Sequence, residues 1–174
     1  MNIQVVDNFL PEEVFSELAE IIPYEVPWHY NNGSVYDGDG YPQFVHCFYD
    51  ENKPEGDFAD DMLNIVNEIN DLYCIYRIKV NATPKGEKLY LKPYHIDVTD
   101  DDSIPGQSFP APLKICILMI NTNNGYTQIK DENGMIRKFK SEANRALFFP
   151  NTYEHTGTNC TDEDLRLVLN IVYA

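Results

Sequence analysis

Residues 165–173 constrain the fold more than any other stretch. Side chains two apart on a strand share a face. One face here would carry Leu165, Leu167, Leu169, Ile171 and Tyr173; the other would carry Arg166, Val168, Asn170 and Val172. Both faces are largely apolar, so each needs a covering layer. The second face also sets an arginine and an asparagine among valines. A guanidinium enclosed in that way is costly unless it meets an anion. The pattern predicts a closed barrel whose interior holds something anionic.

The same two-residue alternation runs through the chain after residue 73. Strands are expected at 74–82, 87–97, 113–121, 125–130, 135–140, 145–149, 153–158 and 165–173. Asp131-Glu132-Asn133-Gly134 reads as a hairpin turn, because Asn-Gly tolerates positive φ. Before residue 73 the pattern differs. A short strand is expected at 2–7, and Pro11 then opens a helix with Glu12 and Glu13 at its positive end. Phe15, Leu18, Ala19 and Ile22 form its apolar face, and Pro23 should stop it. A second helix is expected from Asp57 as N-cap, with Phe58, Met62, Ile65, Ile69 and Leu72 as its stripe. The whole predicts a mostly β, α+β chain. Its core would be a double-sheet jelly-roll barrel, a cupin-like double-stranded β-helix, with two supporting N-terminal helices. Nothing in 1–174 marks a linker or repeat, so one domain is expected, with 1–73 supporting and 74–174 as the core. Residues 28–42 and 98–112 read as loops framing a pocket mouth.

Composition narrows the function. Of 174 residues 43% are hydrophobic and 13% aromatic, enough for a folded core. No charged segment precedes an apolar one, and no apolar run approaches the roughly 18 residues a membrane span needs. A cytoplasmic protein is the expectation. Cys47, Cys74, Cys116 and Cys160 form no CxxC pair and read as reduced thiols. The net charge of −15, with 13 scattered Lys and Arg, disfavours a nucleic-acid partner. A cationic peptide or protein suits it better.

Chemistry concentrates at His95-Ile96-Asp97, with His155 and Arg166 further on. His95 and Asp97, on alternate residues of a strand, would point to one side, and His155 could join them from a distant strand. Two imidazoles and one carboxylate suit iron(II), leaving a face of coordination positions open. Three such ligands with water would also suit zinc. Arg166 favours iron, because its fork matches a carboxylate and a dicarboxylate could chelate the metal at its other end.

Residues 77–173 resemble the catalytic core of the iron(II)- and 2-oxoglutarate-dependent dioxygenases. The similarity is to prolyl-hydroxylase-like members, including small ones carried by bacteriophages. It rests on Asn81-Ala82-Thr83-Pro84-Lys85-Gly86, Tyr94-His95-Ile96-Asp97, Asn121-Thr122-Asn123-Asn124-Gly125-Tyr126-Thr127, Asn144-Arg145-Ala146-Leu147-Phe148-Phe149 and His155-Thr156-Gly157, ending in Arg166-Leu167-Val168-Leu169-Asn170. The resemblance implies that His95, Asp97 and His155 ligate iron and that Arg166 holds the C5 carboxylate of 2-oxoglutarate, with Asn170 and Asn81 assisting. Arg145 would belong to a turn or surface pair, and His29 and His46 would lie outside the site. Fe(II), 2-oxoglutarate and O2 are then the expected cofactors and co-substrates, with ascorbate compatible. The implied reaction hydroxylates a C–H bond of a peptidyl or free amino acid, proline first, and releases succinate and CO2. Asp97 favours hydroxylation, since related halogenases lack that carboxylate. A nucleobase demethylase and a non-catalytic jelly-roll module with a degenerate metal site stay open as alternatives.

Overall fold

A computed structural model describes residues 2–51, 53–56, 58–99 and 112–174. The elements run β1 (Gln4–Val6), α1 (Glu12–Tyr24), β2 (His29–Asn31), β3 (Gln43–Asp50), β4 (Lys53–Pro54), α2 (Asp61–Val66), β5 (Ile75–Pro84), β6 (Lys114–Met119), β7 (Tyr126–Lys130), β8 (Ile136–Lys140), β9 (Ala146–Pro150), β10 (His155–Gly157) and β11 (Leu165–Tyr173). Two antiparallel sheets form. The larger has the order β1-β9-β6-β11-β5-β3-β2, with β4 on β3; the smaller has the order β10-β7-β8. This is the jelly-roll arrangement expected, with the helices outside the larger sheet.

The final strand does what its alternation requires. Leu167, Leu169, Ile171 and Tyr173 pack with Phe15, Leu18 and Ile22 of α1 and Met62 and Ile65 of α2. Val168 and Val172 face the barrel interior with Ile117, Met119, Leu147 and Phe149. Strands β6 and β9 are split in the same way between the two cores. Each large aliphatic side chain so enclosed contributes about 1.5–3 kcal/mol. Asn144, at φ 59°, pins the N-terminal segment to this body. Its amide donates to the Leu10 carbonyl and accepts from the Leu10 N–H, both at 2.8 Å.

Several expectations need correction. Residues 87–97 are not a strand. Among the described residues, their only strand-type pairing is two isolated bridges, Leu91–Thr158 and His95–His155. Pro93 lacks the N–H that a continuous ladder needs. Strand β3 went unread because its alternation is broken by a register shift between Cys47 and Tyr49. Helix α2 spans only Asp61–Val66, although Ile69 and Leu72 still pack on the core the stripe predicted. Asp71 at φ 61° marks where the chain has left the helix. Pro23 lies inside the last turn of α1 rather than beyond it. Asp57 and most of the loop 98–112 lie outside the described residues. At the hairpin only Gly134, at φ 76°, takes positive φ. All four cysteines are free, and no described helix is long and apolar enough to cross a membrane.

Candidate active site

The segment carrying His95 and Asp97 is held by amide clips rather than by a ladder. Asn159, fully buried, accepts from the Tyr90 N–H at 2.9 Å and donates to the Lys88 carbonyl at 3.0 Å. Asn151 closes the other end on Val98, donating to its carbonyl at 2.7 Å. Between these clips His95 and His155 exchange backbone hydrogen bonds at 3.0 and 2.9 Å. That exchange sets the two rings side by side, centroids 4.4 Å apart.

His95, Asp97 and His155 present ligand atoms that all lie within 4.8 Å of one another. His155 Nε2 is 3.3 Å from Asp97 Oδ2, and His95 Nε2 is 4.0 Å from Asp97 Oδ1. Burial, then the neighbouring His155, pushes His95 down to about 4, so its imidazole is neutral at pH 7. Its Nδ1 faces the Pro93 carbonyl, which leaves a lone pair on Nε2. Electron-rich atoms gathered this closely call for a cation between them, and the donor set fits a divalent transition metal. Burial raises the Asp97 carboxyl. His155, Arg77 and His95 outweigh that and hold it well below the usual carboxylate range. Arg77 Nη2 donates to Oδ1 at 2.7 Å and Asn170 Nδ2 to Oδ2 at 2.9 Å. Partners of this kind orient a ligating carboxylate and resist its rotation.

The other end of the pocket is cationic. Arg166 is 5% exposed, and no acidic residue pairs with it among the described residues. Its Nε donates to Ser141 Oγ at 2.9 Å and its Nη2 to Thr127 Oγ1 at 2.8 Å. Burial pushes the guanidinium down to about 10, where it stays charged at neutral pH. Lys92 joins it in the same pocket, donating to Gln43 Oε1 and Thr83 Oγ1, each at 2.8 Å. Burial, then Arg166, pushes the Lys92 ammonium down to about 7. Lys79 also lines the pocket, opposite Asn170, and burial lowers its ammonium.

Two glycines make the space. A Cβ at Gly157 would sit 3.0 Å from Arg166 Nη1. At Gly125 it would sit 2.6 Å from the Asn159 carbonyl and 2.7 Å from Arg166 Cδ. Gly125→Ala should therefore cost about 1–3 kcal/mol by overpacking, read as a fall in the urea midpoint. An unchanged midpoint would mean that this contact relaxes freely.

The structure gathers His95, Asp97, His155, Arg166, Asn170 and Asn81 around one pocket. Asn170 gives its nitrogen to Asp97, while its Oδ1 has no partner. Asn81 Oδ1 is likewise buried and unpartnered. Arg145 pairs with Asp7 and Glu142. His29 is exposed, and His46 is bound to the Pro27 carbonyl. Missed were Arg77, Lys79 and Lys92, and the hydroxyls of Thr83, Thr127 and Ser141. A signal for the first two existed. On β5, Ile78, Val80 and Ala82 face the helices, so Arg77, Lys79, Asn81 and Thr83 must face inward, opposite Val172, Asn170, Val168 and Arg166.

No family model matches the chain, and no curated protein does. Solved structures do. A Burkholderia pseudomallei oxidoreductase of the 2OG-Fe(II) oxygenase family superposes with a TM-score of 0.73 at 11% identity, covering 99% of this chain and 84% of that one. A Pseudomonas putida prolyl-4-hydroxylase gives 0.68 at 15% identity, covering 98% and 91%. A Trichoplax adhaerens prolyl hydroxylase, solved with a peptide fragment of a hypoxia-inducible factor oxygen degradation domain, gives 0.66 at 12%, covering 98% and 82%. Over nearly its whole length, this chain has the fold of the 2OG-Fe(II) oxygenases and prolyl hydroxylases.

Proposed function

We propose that this protein is an iron(II)- and 2-oxoglutarate-dependent oxygenase that hydroxylates a C–H bond of a peptidyl or free amino acid, with proline the first candidate. One observation carries the reading: the His95–Asp97–His155 cluster and the acid-free Arg166 line the same pocket. A metal site alone would suit zinc as well as iron. A buried guanidinium without a counter-charge, in the same enclosure, suits a co-substrate with a carboxylate at each end.

In this reading His95, Asp97 and His155 hold the metal. Arg77 and Asn170 fix the Asp97 carboxylate so that it does not turn away when the metal leaves or binds. Thr127 and Ser141 aim the Arg166 fork down the pocket toward the cluster. The unpartnered Asn81 Oδ1 is free to accept from whatever fills the middle. Iron(II) and 2-oxoglutarate, when bound, supply the oxidative chemistry, in which O2 is consumed, succinate and CO2 leave, and one oxygen atom enters the substrate. The apolar wall of Ile117 and Val168 keeps the same space poor in water.

The prolyl-hydroxylase neighbours, one of them with a peptide fragment, support a peptidyl or small amino-acid substrate. The net charge of −15 supports a cationic peptide over nucleic acid. Adding 2-oxoglutarate to anaerobic Fe(II)-loaded protein should give a visible metal-to-ligand charge-transfer band, and air should then release succinate. Absence of both would remove the oxygenase reading. Screening peptides for a mass gain of one oxygen atom would identify the acceptor.

A further inference from the structure

Arg166 and Lys92 are neighbours by construction. Arg166 lies opposite Thr83 in the β11–β5 register, and Thr83 Oγ1 is one of the two acceptors of Lys92 Nζ. The Lys92 backbone N–H donates to the Gly157 carbonyl at 3.1 Å, and Gly157 is the residue whose missing side chain makes room for Arg166 Nη1. Thr156 Oγ1 donates to the Lys92 carbonyl at 2.8 Å and fixes the register. Two basic side chains have thus been built into one end of one pocket, where the charge of Arg166 disfavours the ammonium of Lys92.

Their partners share one property. Ser141, Thr127, Thr83 and Gln43 are all neutral, so they aim the two cationic groups without neutralising either. Each group also keeps donors in reserve. Lysine has three N–H donors and two are used. Among the described residues, Arg166 Nη1 makes no hydrogen bond, whereas Nε and Nη2 do. A purely structural lysine linking β3 to β5 would not need to stand beside an unpaired guanidinium.

We propose that Lys92 is a second anchor for the distal carboxylate of the dicarboxylate co-substrate, which is received jointly by Lys92 Nζ and Arg166 Nη1. This rests on the oxygenase reading above. One carboxylate has lone pairs enough to accept from both donors. Its charge removes the repulsion between the two cations, so neither needs a resident acid. The consequence is discrimination: the pocket should distinguish a dicarboxylate from a monocarboxylate more sharply than Arg166 alone would allow.

The test compares 2-oxoglutarate with 2-oxopentanoate, which has the same chain with a methyl in place of the distal carboxylate. Binding to wild type, Lys92→Met and Arg166→Met is measured by calorimetry on Mn(II)-loaded protein. In the metal-free protein, glutarate is measured as a thermal shift. Lys92→Met should weaken 2-oxoglutarate by about 10- to 100-fold, leave 2-oxopentanoate unaltered and abolish the glutarate shift. Undiminished 2-oxoglutarate binding would overturn the proposal. So would an equal loss for both oxo acids, the mark of a structural lysine. Should Lys92→Met fail to fold, Lys92→Gln removes the charge and shortens the side chain while keeping a polar N–H donor, and the same ligands decide. If wild type itself binds no 2-oxoglutarate, the oxygenase reading falls as well. Binding by wild type with no effect of the variant takes down this inference alone.

Discussion

Asp97→Ala should lose both metal loading and turnover, and it should also cost stability. Wild-type protein held at a hundred times its metal Kd gains about 2.7 kcal/mol of stability from binding. The variant loses one of three ligands, so adding Fe(II) or Mn(II) should no longer raise its melting temperature. A second effect comes from Arg77. Its Nη2 donates to Asp97 at 2.7 Å, and its Nε already lacks a partner. Removing one member of a buried ion pair costs about 3–5 kcal/mol, because the other charge is left uncompensated. Metal-free Asp97→Ala should accordingly unfold at lower urea than metal-free wild type. A metal-dependent shift of wild-type size in the variant would mean that the centre is elsewhere.

Arg166→Met should behave in the opposite way in the unliganded protein. Wild type encloses a guanidinium without a counter-charge, and an isolated buried cation costs several kcal/mol. The substitution strands two hydroxyls, on Ser141 and Thr127, at roughly 1 kcal/mol each. The cation is the larger quantity, so unfolding stability should hold or rise. The 2-oxoglutarate requirement should meanwhile rise by about 100-fold or more, since a charge-assisted fork is lost. Stability kept and co-substrate binding lost would separate a ligand-binding arginine from a structural one. An unchanged 2-oxoglutarate requirement would refute its assignment.

Much of this was legible because it depended on side-chain alternation. The two faces of 165–173 are found on the two cores, and Arg166 and Asn170 face inward as the pattern required. The segment 87–97 was misread for a related reason. Its ligands sit two apart and fit strand spacing, yet Pro93 and the long-range clips of Asn151 and Asn159 replace the ladder, and sequence spacing does not reveal such partners. Lys92 was invisible because its meaning lies in Gln43 and Gly157, which are distant in sequence, and in Thr83 on the neighbouring strand β5. The basic residues, read as scattered and so as disfavouring a nucleic-acid partner, include three that converge on one pocket.

The sparse attachment of residues 86–98 has a kinetic consequence. A segment held by two isolated bridges and a few amide clips unclasps at lower free energy than the sheet beside it. His95 and Asp97 ride on that segment, whereas His155 belongs to β10. Whatever ion joins them therefore closes a loop across the bridge, in the manner of a cross-link, and its residence time is set by how often the segment lifts. Metal exchange in this protein should be a local opening event, with a rate that follows the amide-hydrogen exchange of His95 rather than that of the β11 core.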